Sequence, residues 1–221
     1  MPNAQANSDD LHAFADRIAK PMLVLLLLDT SGSMSGPKIE TLNATVRQML
    51  ADFAKKERSG IEVHVSIITF GDSVNRLQPF TPASSINFQP LSADGMVLLG
   101  AALRAAKDVI EDKDETPSRA YRPTVILVSN GQPNDQWEEA LCAFISEGRS
   151  SKCDRMAMAI GCDADKDMLG RFIEGTRNPL FEVYQTSEIL QKLYKPLVLV
   201  DPCPCPVPSP TPASSGDDEY F

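Results

Sequence analysis

Two hydrophobic patterns alternate along this chain of 221 residues. The first is the short apolar run, and its clearest example, Leu23 to Leu28, is typical of a strand buried on both faces of a parallel sheet. Similar runs predict four further strands, at 61–70, 124–129, 156–160 and 180–184. A short edge strand is predicted at 77–81, because prolines limit it.

The second pattern is the apolar stripe with helical spacing. It predicts a helix that begins at Pro37, an alanine-rich helix at 99–110, a helix that carries Trp137, one near 168–173 and a last one at 187–198. Asp135 and Glu138 have the spacing of a capping box before the third of these. Strands that alternate with helices predict an α/β fold: a doubly wound, mostly parallel sheet with one short antiparallel edge strand and helices on both faces.

The pattern also predicts the domain organisation. Residues 1–20 carry a few apolar residues at helical spacing and are expected to form an amphipathic segment. Residues 21–200 form the single domain, and 201–221 form a proline-rich acidic tail that cannot build a core and is expected to be disordered. Cys203 and Cys205 lie in that tail. Incidental thiols, a metal or haem ligand and an inter-chain disulfide all remain open for them.

Charge and cysteine content narrow the classes of partner. Thirty acidic and 21 basic residues give a net charge of −9, which argues against binding to nucleic acid or to an anionic membrane. Met22 to Leu28 is too short for a membrane span and lacks a signal cleavage site. Five cysteines, an odd number, favour reduced thiols, and we therefore expect a cytoplasmic protein.

Candidate chemistry is concentrated directly after the first apolar run. Asp29, Ser31 and Ser33 place one carboxylate and two hydroxyls on alternate residues of a tight turn. Oxygen ligands of this kind suit Mg²⁺. Sites in parallel sheets lie at the carboxyl ends of the strands, where Asn130, after the strand at 124–129, is also expected.

Five ordered blocks carry a resemblance to a known family. Their sequences are DTSGSM at 29–34, IITFG at 67–71, LQPFTP at 77–82, YRP at 121–123 and SNGQP at 129–133. In these blocks the chain resembles the von Willebrand factor A (vWA) family, in its bacterial stand-alone, tellurium-resistance-associated branch. The resemblance implies a Rossmann-like vWA fold and a metal-ion-dependent adhesion site that includes Asp29, Ser31 and Ser33. It also implies protein partners encoded nearby in stress-response or phage-defence operons, among them kinases and phosphatases.

The chain departs from the family pattern at two metal-ligand positions. Val97 stands where the family has a threonine, and Asn130 stands where it has an aspartate. We therefore expect the site to bind Mg²⁺ weakly or to be vacant, unless Asp94 supplies a replacement carboxylate. Ser31 and Ser33 have an alternative role as helix caps. The expected partner-binding residues are Ser31, Ser33, Asp94, Val97, Asn130 and Trp137, although Trp137 at its helical spacing is also a candidate core residue.

The same loop matches neither of two common catalytic motifs. Gly32 to Lys38 is one residue short of a P-loop, and Gly32 to Gly36 has methionine where a nucleophile elbow needs serine. No catalytic residue is predicted. The sequence favours an intracellular protein-interaction module, or adaptor, and leaves as its alternative a Mg²⁺-dependent enzyme that acts on a nucleotide or phosphate at the Asp29 loop.

Overall fold

The computed structural model describes residues 21–57, 62–118 and 120–183. Its strands are β1 (Met22–Asp29), β2 (Val63–Phe70), β3 (Val74–Pro82), β4 (Thr124–Ser129), β5 (Asp154–Ile160) and β6 (Leu180–Val183). Its α-helices are α1 (Pro37–Glu57), α2 (Leu99–Glu111), α3 (Trp137–Ser146) and α4 (Lys166–Ile173). The segments predicted at 1–20, 187–198 and 201–221 lie outside the described residues.

The six strands form one sheet in the order β3-β2-β1-β4-β5-β6. Five of them run parallel, and β3 pairs antiparallel with β2 at one edge. The predicted fold class is therefore confirmed. Within the described part of the chain, no helix is long and apolar enough to cross a membrane.

β1 lies in the middle of the sheet and is buried on both faces. Leu26 and its neighbours two positions away pack into the core beneath α1, whereas Leu25 and Leu27 pack into the core formed with α2, α3 and α4. Side chains of a strand alternate between the two faces, so an unbroken apolar run is what a doubly covered strand requires. Each buried leucine contributes roughly 1.5–3 kcal/mol to stability.

β3 confirms the predicted edge strand but is longer than predicted. It spans nine residues and includes Pro79 and Pro82, which an edge strand tolerates because one side of its backbone needs no partner. The ladder to β2 has a register irregularity around Ile67. The side chains of β3 are exposed or half-buried, so the strand has no run of buried apolar residues to mark its full length in the sequence. Its backbone nevertheless pairs with β2 from Val74 to Pro82.

The predicted capping box at α3 is wrong. The residue before α3 is Gln136, and its side chain makes no capping hydrogen bond. Asp135 instead accepts hydrogen bonds from the backbone N–H groups of Gly100 and Ala101, both at 2.9 Å, in the first turn of α2. Since α2 and α3 pack side by side, the carboxylate caps the neighbouring helix.

Candidate functional site

The candidate site lies at the carboxyl end of β1, in the middle of the sheet. β1 is flanked by β2 on one side and by β4 on the other, which makes the crevice outside their carboxyl ends a topological switch point. Asp29 is the last residue of β1, and Asn130 directly follows β4. The parallel register pairs Leu28 with Val128, which brings the two polar segments together as predicted.

A network of hydrogen bonds joins five residues there, which we call the Asp29 cluster: Asp29, Ser31, Ser33, Ser129 and Asn130. Asp29 is fully buried; its Oδ1 accepts from the Ser31 N–H at 2.9 Å, and its Oδ2 accepts from the Ser129 hydroxyl at 2.5 Å. The hydroxyls of Ser31 and Ser33 lie 2.9 Å apart. The Asp29 carboxylate is thus held in one orientation by groups of the protein.

Asn130 and Ser33 close the network through a reciprocal pair of hydrogen bonds. The Ser33 hydroxyl donates to Asn130 Oδ1 at 2.9 Å, and Asn130 Nδ2 donates to the Ser33 carbonyl at 3.1 Å. An aspartate at position 130 could accept the first bond, but it could not donate the second when ionised. The Ser31 side chain makes no capping bond, so the two hydroxyls serve the cluster instead of a helix start.

Val97 is buried beside the cluster and offers it a methyl group. A Cβ on Gly131 would lie 2.8 Å from Val97 Cγ2 and 2.9 Å from Ser33 Oγ, so only glycine fits at this position. Asn134 fixes Val97 in turn: its Oδ1 accepts from the Val97 N–H, and its own N–H donates to the Val97 carbonyl, both at 2.9 Å. The structure therefore places Val97 at the site but supplies no side-chain oxygen from it.

Asp94 reaches the site through its backbone. Its N–H donates to the Thr30 carbonyl at 2.8 Å, and the Gly32 N–H donates to the Gly95 carbonyl at 2.9 Å. The exposed Asp94 carboxylate accepts from the Gly95 N–H at 2.8 Å and so closes its own turn. Among the described residues it makes no hydrogen bond to the Asp29 cluster.

The donor set can be compared with the needs of Mg²⁺. Asp29 is the only carboxylate in the cluster, and its remaining oxygens belong to hydroxyl and amide groups that bond one another. In the described part of the chain, no group of three or more His, Cys, Asp or Glu residues is placed to hold a metal ion. Because Mg²⁺ depends on carboxylate charge to offset its dehydration, these residues fit the ion poorly.

Lys38 is a neighbour of the cluster that sequence reasoning missed. Its ammonium donates to the Ser33 carbonyl at 3.2 Å and to Asp163 Oδ2 at 2.7 Å. The hydrogen bond from Lys38 lowers the pKa of Asp163. A cation in the first turn of a helix opposes the helix dipole, and a lysine right after Pro37 was the one signal in the sequence.

Ser129 was also missed, although a polar residue at the end of an apolar strand marks it. Trp137 was weighed as a partner anchor or a core residue. Its half-buried ring packs against the core on the α2 side, and the Arg171 guanidinium carbon lies 4.5 Å from the ring centroid. Much of the ring is thus engaged within the domain.

Comparisons with known proteins agree with this fold. The model of the von Willebrand factor type A domain matches residues 24–196, well over half of the chain. No curated protein matches the sequence.

Three solved structures illustrate the similarity of fold. The chain is similar to the PilB minor pilin from Streptococcus sanguinis, with a TM-score of 0.59 and 14% identity over 82% of this chain and 61% of that one. For the ArnB paralog VWA2 from Sulfolobus acidocaldarius the values are 0.57 and 16%, over 77% and 43%. For proximal thread matrix protein 1 from the mussel byssus they are 0.56 and 17%, over 80% and 45%.

At these identities the solved structures support the fold alone, and the chain spans less than two thirds of the length of each. The family assignment depends on the match of residues 24–196, on the sheet order and on the position of the Asp29 loop at the switch point. By these observations, the chain belongs to the von Willebrand factor type A domain family.

Proposed function

We propose that this domain is a protein-interaction module, and not an enzyme, that binds a protein partner through the surface around the Asp29 cluster with little or no dependence on a divalent cation. The observation that carries the proposal is the reciprocal pair of hydrogen bonds between Asn130 and Ser33. These bonds pair the polar groups of Asn130 and Ser33 with each other, at the position where a second carboxylate would attract a metal ion.

Lys38 supports a direct mode of binding. In a family member with an intact site, the resemblance implies that a bound cation accepts a carboxylate from the partner. Here Lys38 places its ammonium group beside Ser33, with about 25% of its side chain exposed and an ion pair to Asp163 at 2.7 Å. The Ser33 hydroxyl already donates to Asn130, so it would accept a hydrogen bond from a polar group of the partner. An acidic side chain of the partner would compete with Asp163 for Lys38.

The resemblance supports the biological setting that we propose. It favours a partner encoded near this gene in a bacterial stress-response, tellurium-resistance or phage-defence system, with kinases and phosphatases as the leading candidates. The net charge disfavours nucleic acid and anionic membranes as partners. The three cysteines in the described residues, Cys142, Cys153 and Cys162, are unpaired, which supports a reducing cytoplasm.

The test begins with capture of the partner from the native host by the full chain. The affinity is then measured in EDTA and in millimolar Mg²⁺, with fresh protein. We expect equal affinities in both, a weaker complex for Ser33→Ala and Lys38→Ala, and no change for Lys55→Ala at the far end of α1. Loss of binding in EDTA would overturn metal independence. Unchanged binding of both Ser33→Ala and Lys38→Ala would show that the interface lies elsewhere.

A separate assay tests the enzymatic alternative. Purified protein is incubated with Mg²⁺ and a panel of nucleotides and phosphate esters. We expect no turnover, because among the described residues no histidine or lysine side chain bonds the serine hydroxyls of the cluster as a general base, and the Asp29 carboxylate is already held by Ser31 and Ser129. Hydrolysis that disappears in Asp29→Asn would establish the enzyme instead.

A further inference from the structure

A cavity lies at the end of the sheet opposite to the Asp29 cluster, and the function proposed above does not use it. Its volume is about 940 Å³, and it opens at the amino ends of β4, β5 and β6. Four basic residues line it: Arg122, Lys152, Arg155 and Arg177. We call this cavity the basic cleft. The length of β4 separates it from the Asp29 cluster by roughly 20 Å, at about 3.3 Å per residue.

The charge of the basic cleft is opposite to that of the chain. Among the described residues, Asp154 is the only acidic one that lines it, and its Oδ1 accepts a hydrogen bond from Asn178 Nδ2 at 2.8 Å. Four cations thus face one carboxylate on a chain whose net charge is −9. A concave site lined by one sign of charge concentrates its field and attracts ligands of the other sign.

Arg155 lies in the wall of the cleft and contributes a buried positive charge to this field. The residue is only 5% exposed, and it donates to the carbonyls of Phe172 at 2.9 Å and Glu174 at 2.7 Å. Burial lowers the pKa of its guanidinium. Within the described residues it forms no ion pair, although buried charges are normally paired. A bound anion would neutralise it.

The other three cations are available to a ligand. Arg122, Lys152 and Arg177 are exposed, and in the described part of the chain their side chains form no hydrogen bond or ion pair. The nearby Arg149 provides a contrast, because its guanidinium donates to the carbonyls of Asp112 and Thr116 and so holds the loop after α2. The cleft therefore combines one buried cation with three uncommitted ones.

We propose that the basic cleft binds a small molecule that carries a diphosphate group. The cleft presents four cationic side chains and one carboxylate. A ligand with two to three negative charges balances this excess better than a ligand with a single carboxylate group. Guanidinium groups bond phosphate oxygens in pairs, which favours phosphate among anions. The volume lies in the range of small-molecule sites and exceeds what one inorganic phosphate would fill.

An adjoining cavity bears on what carries the diphosphate. It has a volume of about 370 Å³, shares Arg122 and Lys152 with the basic cleft, and is also lined by Tyr121. The Tyr121 side chain is 39% exposed. A nucleoside attached to the diphosphate has an aromatic surface within reach there, whereas pyrophosphate would occupy the basic cleft alone.

Calorimetric titration of the full chain tests the proposal, with pyrophosphate, ADP and inorganic phosphate as probes in a buffer without divalent cations. We expect pyrophosphate and ADP to bind more tightly than phosphate. Arg122→Gln and Arg177→Gln should each weaken binding of pyrophosphate by roughly tenfold or more, as expected for loss of a charged hydrogen bond. Arg47→Gln, on the exposed face of α1, is the matched control and should bind like the unmodified chain.

Each outcome is decisive. No binding of pyrophosphate or ADP at millimolar concentration overturns the proposal, and so does an equal loss in the Arg47 variant, which would indicate attraction by bulk charge. Binding that neither cleft variant weakens places the anion elsewhere and also overturns it.

A preference for ADP that Tyr121→Ala removes identifies a nucleoside carrier, and equal binding of both probes identifies the diphosphate alone. Because the cluster residues are unchanged in these variants, failure here leaves the proposed partner binding untouched.

Discussion

Replacing Asn130 by aspartate tests whether the Asp29 cluster is built to work without a metal ion. The substitution keeps the shape of the side chain and the bond accepted from the Ser33 hydroxyl, but it removes the donor to the Ser33 carbonyl. It also adds a second buried carboxylate to a cluster that already holds Asp29. Without a cation, both changes destabilise the folded state.

The size of the effect follows from the contacts. Loss of the hydrogen bond costs about 1 kcal/mol, and burial of an unpaired charge beside Asp29 adds about 2 kcal/mol or more. A loss near 3 kcal/mol corresponds to a fall of roughly 6–12 °C in the melting temperature for a domain of this size. Since the new carboxyl is destabilising only when ionised, the difference should shrink as the pH falls below neutrality.

Thermal unfolding in EDTA and in millimolar Mg²⁺ measures the effect. The melting temperature of the unmodified chain should hardly respond to Mg²⁺, whereas Asn130→Asp should recover much of its loss, and Val97→Thr in the same chain should increase the recovery. Asn134→Asp is the matched control, because the exposed Asn134 acts on Val97 through an oxygen that aspartate retains. A rise of several degrees for the unmodified chain, or equal losses for the two variants in EDTA, would refute the reasoning.

Three further predictions concern other parts of the domain. Asp135→Ala should lower the free energy of unfolding by about 1–2 kcal/mol in urea titrations, because two N–H groups of α2 lose their acceptor; a loss confined to α3 would contradict the cross-helix cap. Burial opposes the ionisation of Glu111, but hydrogen bonds from the backbone N–H groups of Ser150 and Arg149, together with the nearby charge of Lys107, prevail and lower its pKa. Its stabilisation is thus present above the usual glutamate range and lost as the pH falls through the lowered value, so Glu111→Gln should cost about 1 kcal/mol at pH 7 and progressively less as the pH falls below the usual glutamate range. Burial raises the pKa of Cys153 to about 12, so peptide mapping after alkylation of the folded chain should find Cys142 and Cys162 labelled and Cys153 protected until the chain unfolds.

The sheet and the meeting of Asp29 with Asn130 were predictable because they depend on local patterns. An apolar run marks a doubly covered strand, and parallel strands bring their carboxyl ends to one edge. The strand at 124–129 even has its predicted bounds, since Pro123 and Asn130 delimit it. Local pattern is enough where burial and turns set the structure.

The errors arise where contacts join distant segments. Asp135 has the spacing of a cap for its own helix, yet it caps α2, which only the packing of the two helices reveals. Lys38 joins the cluster through the backbone carbonyl of Ser33, a partner that no side-chain motif records. The basic cleft is likewise assembled from the starts of three strands. Such sites need the topology before their residues can be grouped.

The hydrogen bond of the Gly131 backbone influences how fast Asn130 can lose its side-chain amide. Asparagine followed by glycine loses its amide when the glycine nitrogen attacks the asparagine side chain. Here the Gly131 N–H is bonded to the Ser129 hydroxyl at 3.2 Å, while both ends of the Asn130 amide are held by Ser33. Ring closure should therefore be slower in the folded domain than in the unfolded chain. Aspartate and isoaspartate at position 130 would accumulate with time spent unfolded. We therefore expect an aged population to contain some molecules whose stability responds to Mg²⁺ beside others whose stability hardly does.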